Sequence, residues 1–506
     1  MSRYFNVSGP CVPEEHYMLD AVSRLNRVLP LIERNQYFVI RSAQQSGKTT
    51  FLFEMRQKLN QNGEYYALYC SLESIQGIDD SEKGIPSIIG CLSLALESST
   101  IPHKEQFAIH ANKIHYTSAL LEALSDFCSL LDKPLVVFFD EADRLSGSTL
   151  ISFLRQLRNG YITRSYSPFI HSLALVGMQN LRDYKLNFNI VTELLTLQNF
   201  SKEDIAELYG QHSTDTGQQF EPEAVEYVWQ QTQGQPWLVN AIACETVEEI
   251  LKSDYSQTVT LLMVEQAVQN IILRRDTHID SLMERLNEER VRKIIQPIIL
   301  GEVAQVEYLS SDFQLTRDLG LIRQDQGKLE FANPIYAEVI IRTLNFNTQI
   351  SLQNNTSYQP SRYIHNGKID MELLLRDFQV FWRENGAIWK EKYLYKETAP
   401  HLVLMAFLQR IINGGGKIIR EMAAETGRLD LLVVYGENKY PIELKIRHNK
   451  NAYQKGLEQT AGYMESLGCQ NGWLVVFDRR QNISWETKLF VRNESFDNKT
   501  ITIIGC

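Results

Sequence analysis

Paired cysteines are absent from this 506-residue chain. Its seven cysteines (11, 70, 91, 128, 244, 469 and 506) stand singly, with no CxxC pair and no zinc-ligand spacing. An odd, dispersed set of this kind suits reduced thiols in a cytosol. No apolar run approaches the roughly 18 residues that would cross a bilayer, so no membrane partner is expected. The opening MSRYFNVSGP lacks the charged-then-apolar layout of a signal peptide. Prolines are few, 14 in all, and neither an internal repeat nor a low-complexity tract is visible. Excess positive charge is missing too. With 51 Lys and Arg against 61 Asp and Glu, the formal net charge is −10. The chain as a whole therefore does not adhere to nucleic acid, and any such contact must come from a local basic patch. A soluble, cytoplasmic protein is expected.

What is present is ordinary globular composition, 44% hydrophobic and 22% charged, in a chain too long for one core. About three domains are expected. Between 37 and 181, short apolar strands alternate with amphipathic stretches: YFVIR (37–41), YYALYCSL (65–72), PLVVFFDEAD (134–143) and SLALVGM (172–178). That alternation predicts a parallel sheet covered by helices. From about 200 to 275 the pattern is helical, with one break at QGQPW (233–237). Residues 285–343 read as three short helices and a hairpin, GLIRQDQGKLEFAN, whose Asp-Gln-Gly turn suggests a wing. NTQISLQNNTSYQPSRYIHNGK (347–368) is polar, poor in aliphatics, and reads as a flexible tether. A separate unit follows from 371, with a long helix, a β-hairpin, a helix and a strand.

The stretch SAQQSGKT (42–49) fits G-x-x-x-x-G-K-[ST] except at its first position, where Ser42 replaces glycine. A strand precedes it and a helix follows. The N–H groups of Gln45, Ser46, Gly47, Lys48 and Thr49 would wrap phosphates at that helix N-terminus, with Thr50 next in the nucleotide-binding set. Lys48 would reach the β and γ phosphates, and Thr49 would hold Mg2+. VVFFDE (136–141) then places Asp140 at the end of an apolar strand, where it can complete the magnesium shell. Glu141 beside it can polarise the attacking water. A chance GKT at a helix start is the plain alternative, and the second motif argues against it. Arg155, Arg158 and Arg164 are candidates for a trans-acting arginine or else a solvated basic face.

On these residues, 5–345 resembles the AAA-like ATPases related to signal-transduction and origin-recognition ATPases. The likeness includes GPCVPEEHYML (9–19), the GKT, the FFDE, Gly234 and Pro236 of QGQPW, and DLGLIRQDQGKLEFANPIY (318–336). It implies an ATPase core over 1–199, a helical lid over 200–280 and a winged helix over 281–346. It also implies Pro236 on the adenine side, with His16 and Tyr17 as weaker candidates, and a homo-oligomer formed through the ATPase domain. The wing sets Arg323 and Lys328 against Asp325 and Glu330, a balance that gives no electrostatic argument for DNA. It is read as structural.

GRLDLLVVYGENKYPIELK (427–445) places two carboxylates and an ammonium inside two apolar runs. Taken as an antiparallel hairpin around residues 436–439, with Tyr435 opposite Tyr440, it sets Asp430 opposite Lys445. Asp430, Glu443 and Lys445 then share one face. A one-residue slip would separate them, so the turn must hold two or four residues. Two carboxylates this close need a cation between them, and hard oxygen ligands suit Mg2+ or Mn2+. Lys445 could orient the attacking water or stabilise charge on a scissile phosphate. A buried Asp–Lys ion pair with Glu443 at a sheet edge is the alternative. Upstream, Glu397 lies near the start of a helix at 395–411; downstream, Gln459 and Tyr463 fall at i and i+4 on one helix face.

This ordered set over roughly 372–480 resembles the PD-(D/E)XK nuclease superfamily. Asp430 matches its first acidic position and Glu443-Leu444-Lys445 its E-x-K signature. Glu397 matches the helix-one glutamate, and Gln459 with Tyr463 the Q-x-x-x-Y element of the exonuclease-type branch. Leu429, not proline, precedes Asp430, and that proline is often absent in the superfamily. Lys417, Arg420, Arg428, Arg447, His448 and Lys450 form a local basic excess, suited to phosphate contacts or else a solvated surface.

The expected fold class is α/β and multidomain: a parallel-sheet P-loop ATPase with helical lid and winged helix, a linker at 347–370, and an α/β nuclease domain at 371–506. The expected function is an ATP-binding and ATP-hydrolysing nuclease dependent on Mg2+ (or Mn2+), with nucleic acid, DNA rather than RNA, as partner. A role in bacterial defence comes only from the resemblance to similar fusions. One rival is a nucleotide-operated switch whose nuclease fold has become a DNA- or protein-binding adaptor. Another is an ATP-driven remodelling motor.

Overall fold

The computed structural model describes all residues except 1–2, 21, 42, 44, 111–114, 178–189, 275–276, 300–309, 326–327, 354–359, 393–398, 413–415, 425–426, 448–450, 479, 481–482 and 497–498. It divides into two compact units. The first comprises Met1–Leu282, Val306–Gln324 and Glu330–Tyr336; the second comprises Met283–Gln305, Asp325–Leu329 and Ala337–Cys506. The stretch expected as a winged helix thus contributes to both.

The first unit is built on strands β1 (Tyr37–Arg41), β2 (Tyr66–Ser71), β3 (Leu135–Asp140), β4 (Ser172–Val176) and β5 (Val191–Thr196), in the order β2-β3-β4-β1-β5. Every pairing is parallel. Alternate residues serve opposite faces: Tyr37, Val39, Val137, Phe139 and Leu173 join one core, and Phe38, Ile40, Val136, Phe138 and Ala174 the other. A strand covered on both faces is predominantly apolar, which is why the expected alternation of apolar runs and helices is found. Burying each such side chain contributes roughly 1.5–3 kcal/mol. The strand β5 was not anticipated. Its sequence VTELLT mixes polar and apolar residues because it is an edge, paired to β1 alone.

Helices Lys202–Thr216, Pro222–Thr232, Pro236–Cys244 and Leu261–Arg274 form the helical region expected over 200–280. Ser201 and Asp204 close a capping box at its start. The break at QGQPW is a tight crossing: Gly234 has φ +72°, and a Cβ there would fall 1.8 Å from the Phe200 carbonyl oxygen. Only glycine fits. Further on, helix Ser311–Asp318 precedes strands β6 (Ile322–Asp325) and β7 (Lys328–Phe331), which pair as the hairpin expected there. Arg323 bridges to Glu330 at 3.4 Å across this hairpin.

The second unit holds a mixed sheet of β10 (Gly416–Ala424), β11 (Gly427–Tyr435), β12 (Asn438–Arg447), β13 (Asn471–Asp478), β14 (Phe490–Phe496) and β15 (Lys499–Gly505), ordered β10-β11-β12-β13-β15-β14. The hairpin β11–β12 continues through helix Asn451–Leu467 into β13, which lies parallel to β12. That crossover helix buries Leu457, Ala461 and Met464 against Leu474, Val476, Ile501 and Ile503 on one face. Helices Met371–Lys392 and Ala399–Ile412 supply Phe378, Trp382 and Phe407 to an aromatic cluster with Phe477 on the other. Strands β10, β14 and β15 extend the sheet beyond the elements read from sequence. Of the segment expected as a tether, 347–353 end the helix Pro334–Gln353 and 354–359 lie outside the described residues. The remainder forms a turn at Pro360–Arg362 and the short strands β8 (Ile364–His365) and β9 (Lys368–Ile369).

Candidate functional sites

The first site lies at the carboxyl ends of β1 and β3, where open parallel sheets place ligands. Gln45 (φ +59°) and Gly47 (φ +84°) take left-handed backbone on either side of Ser46, which does not. Alternating conformations of this kind turn successive N–H groups into one concavity that receives anions. A left-handed glutamine is strained by roughly 1–2 kcal/mol, a cost that accumulates at functional turns. Helix Lys48–Asn62 begins directly after, so its free N–H groups face the same place. The Ser46 hydroxyl is buried with no hydrogen-bond partner.

Thr49 donates its hydroxyl to Asp140 at 3.1 Å, and Tyr69 does the same to the same oxygen at 3.1 Å. Burial raises the Asp140 carboxyl, while the Glu141 N–H and the Lys48 charge oppose the rise. Arg144 holds Glu141 at 3.0 Å. The Asp143 carboxyl is pushed up to about 6 by burial and then by Glu141, against the pull of Lys48. Thr50 accepts the Cys11 N–H at 3.0 Å. Pro236 opens its helix next to Gln235, whose amide reaches the Gln45 carbonyl at 3.2 Å. Arg24 reaches the neighbouring Ser46 carbonyl at 3.4 Å. Thus Gln45, Ser46, Gly47, Lys48, Thr49, Asp140, Glu141 and the Pro236 turn converge, and Ser42 lies outside the described residues.

His16 and Tyr17 are engaged within the fold. His16 accepts the Val12 N–H at 2.8 Å and meets the Tyr4 hydroxyl, and Tyr17 bonds His212. Arg164 stacks 3.8 Å over Tyr161, while Arg155 is exposed on its helix. Sequence reading missed Tyr69, Asp143, Arg24 and Gln235. Only Asp143 carried a local signal, its place in DEAD beside Asp140 and Glu141.

The second site forms on the hairpin, and its register differs from expectation. Tyr435 pairs with Asn438, Val433 with Tyr440 and Leu431 with Ile442. The turn is therefore two residues, Gly436-Glu437, with Gly436 at φ +59° where a type II′ turn reserves glycine. Continuing the register sets Asp430 across from Glu443 rather than Lys445. A shift of two residues preserves the face, so all three side chains still converge. The Asp430 carboxylate accepts the Leu444 N–H at 2.8 Å, and Lys445 donates to Glu443 Oε1 at 2.5 Å.

The crossover helix lies over this face. Tyr463 is fully buried against Leu432. Its hydroxyl is raised by burial and then by Glu443 and Asp430, and Gln459 bonds it. Two acceptors in the cluster, Glu443 Oε2 and Gln459 Oε1, are buried without a partner. Burial and then Asp430 push the Glu443 carboxyl up to about 8, with Lys445 opposing. Burial also raises Asp430, against Lys445 and the Leu444 N–H.

Two raised carboxylates and unsatisfied oxygen acceptors suit a hard cation. Among the described residues, however, no group of three or more His, Cys, Asp or Glu is placed to hold a metal. Glu397 lies outside the described residues, as do His448 and Lys450. Arg447 approaches Asp478 at 4.0 Å.

No helix among the described residues is long and apolar enough to cross a membrane. Residues 376–481 match a family model described as a domain of unknown function (DUF8371). No curated protein matches the chain. Among solved structures, a Walker-type ATPase of Pyrococcus abyssi shares 14% identity at a TM-score of 0.46, over 66% of this chain and 99% of that one. The RuvB Holliday junction branch migration motor of Thermotoga maritima shares 12% at 0.35, over 63% and 92%. Cdc6p from Pyrobaculum aerophilum shares 13% at 0.35, over 64% and 93%. All three are distant. The first unit's own strand order, and its phosphate loop between β1 and a helix, define a parallel-sheet P-loop ATPase fold.

Proposed function

We propose that the protein binds and hydrolyses ATP in its first unit and cleaves phosphodiester bonds of nucleic acid, DNA rather than RNA, in its second. The observation that carries the second half is the meeting of Asp430, Glu443, Lys445, Gln459 and Tyr463 on one sheet face, with Glu443 Oε2 buried and unpaired. Asp430 and Glu443 would hold Mg2+ or Mn2+. The ion would supply Lewis-acid chemistry, neutralising charge on the phosphate and lowering the pKa of a bound water. Lys445, which donates to Glu443, would steady the phosphate or the water. Tyr463 stays a neutral phenol and orients through its hydroxyl, with Gln459 fixing it. In hydrolysis the water oxygen bonds phosphorus and releases its protons to solvent, while the ester P–O bond breaks and the leaving oxygen takes up a proton from solvent to end as a hydroxyl.

For the nucleotide, the N–H groups from Gln45 to Thr49 and the Lys48 ammonium would receive the phosphates, and Thr49 and Asp140 would hold the accompanying Mg2+. Glu141 would act on water once free of Arg144. Assembly through this unit and a role in bacterial defence against foreign DNA complete the reading. The test is one cleavage panel: linear, circular and single-stranded DNA plus RNA, with Mg2+ or Mn2+, with and without ATP. Retention of DNA without cleavage under every condition would favour the adaptor reading.

The raised Glu443 gives a pH signature. Its carboxyl titrates at about 8 instead of 4.5, so between those values a cation must displace a proton. Mn2+ affinity should rise by up to about tenfold per pH unit below about pH 8 and flatten above it. In the cation-free protein the sign is the reverse. The unfolded carboxyl ionises first, so stability falls as pH rises through the same window. Calorimetric titration with Mn2+ from about pH 6 to about pH 9 measures the first effect; a flat profile would remove Glu443 from the ligand set.

A further inference from the structure

We propose that Arg24 and Gln235 are positioning residues of the phosphate loop, holding its carbonyls outward so that its amides face the nucleotide. The inference deepens the nucleotide reading above and rests on it. A peptide unit is rigid and planar, so fixing the direction of a C=O fixes the opposed N–H of the next residue. Gln235 Nε2 donates to the Gln45 carbonyl at 3.2 Å, and the Arg24 guanidinium donates to the Ser46 carbonyl at 3.4 Å. These bonds orient the N–H groups of Ser46 and Gly47, two successive donors of the concavity. Neither tie is local in sequence. Each comes from outside the loop.

Both residues also belong to the start of the helical region. Arg24 donates to the Gln198 carbonyl and stacks 4.7 Å from the Phe200 ring centre. Gln235 spends its other amide atom on the Leu238 N–H, capping helix Pro236–Cys244. Phe200 N–H is bonded to Gly234 at 2.8 Å, so the two positioning residues stand on one hydrogen-bonded crossing. The loop's shape is thereby tied to the seating of that helix.

Charge gives a second line. No carboxylate bonds Arg24 directly among the described residues, its Nε is buried without a partner, and burial lowers the guanidinium to about 10 against the pull of the Asp204 charge. A desolvated cation beside a phosphate cradle is stabilised when an anion enters.

The test uses the full chain with Arg24→Ala, Arg24→Lys, Gln235→Ala and Lys48→Ala, reading affinity for a fluorescent ATP analogue, KM and kcat for ATP, and the melting shift caused by nucleotide. Arg24→Ala and Gln235→Ala should each raise Kd and KM by about tenfold or more, with a much smaller change in kcat at saturating ATP. Arg24→Lys, which keeps a charged donor, should recover most of the loss. A structural defect alone would lower the nucleotide-free melting temperature without this split or this rescue. If Lys48→Ala weakens binding while Arg24→Ala and Gln235→Ala both bind like the parent, the positioning roles fall and the nucleotide site stands. If Lys48→Ala binds like the parent, the site reading falls, and the positioning roles with it.

Discussion

Glu443→Gln is expected to reduce cleavage by about a thousandfold or more, the scale of several kcal/mol of metal-supplied stabilisation, while nucleotide affinity stays at the parent value. The substitution keeps the side chain's shape and still offers Lys445 an acceptor. It removes an ionisable carboxyl whose charging burial and Asp430 already oppose. The variant should therefore melt at or above the parent temperature in the absence of metal, which separates lost chemistry from lost folding. Cleavage assays under the best conditions of the substrate panel, with a melting curve alongside, provide the measurement. Cleavage at the parent rate would sink the nuclease assignment.

Lys48→Ala should weaken ATP-analogue binding by about ten- to a hundredfold, the value of a charged hydrogen bond to phosphate. The backbone concavity can supply dipoles but no formal charge. The same change leaves Asp140 and Asp143 without the cation that now opposes their rise, so both carboxyls should shift further upward. A titration with labelled analogue reads the first effect directly. Unchanged affinity would make the GKT a coincidence of helix initiation.

Much of the architecture was legible because its signals are local. β1, β3 and β4 are runs buried on both faces and apolar except at their ends, where Arg41, Asp140 and Ser172 stand, and the glycine of QGQPW marks a crossing that nothing larger fits. Edge strands were harder. VTELLT at 191–196 faces a neighbour on one side only, so its composition is free to resemble a loop. The carboxylate cluster was readable from parity, since side chains repeat every two residues along a strand. The pairing itself was misjudged by two residues because the sequence does not distinguish a two-residue turn at Gly436-Glu437 from a four-residue one. Arg24 and Gln235 left no pattern at all. Their roles arise from contacts 22 and 190 positions away in the chain.

The interleaving of the two units bears on how the protein can be made. The backbone passes between them five times, at 282/283, 305/306, 324/325, 329/330 and 336/337. A ribosome has therefore already released the first portion of the second unit before the last portion of the first emerges. Neither unit is one continuous stretch of the chain. A piece starting near Gly367 would lack Met283–Gln305, Asp325–Leu329 and the stretch from Ala337 onward that precedes it. Dissection of this protein belongs to point substitutions in the intact chain, because no single cut yields either half whole.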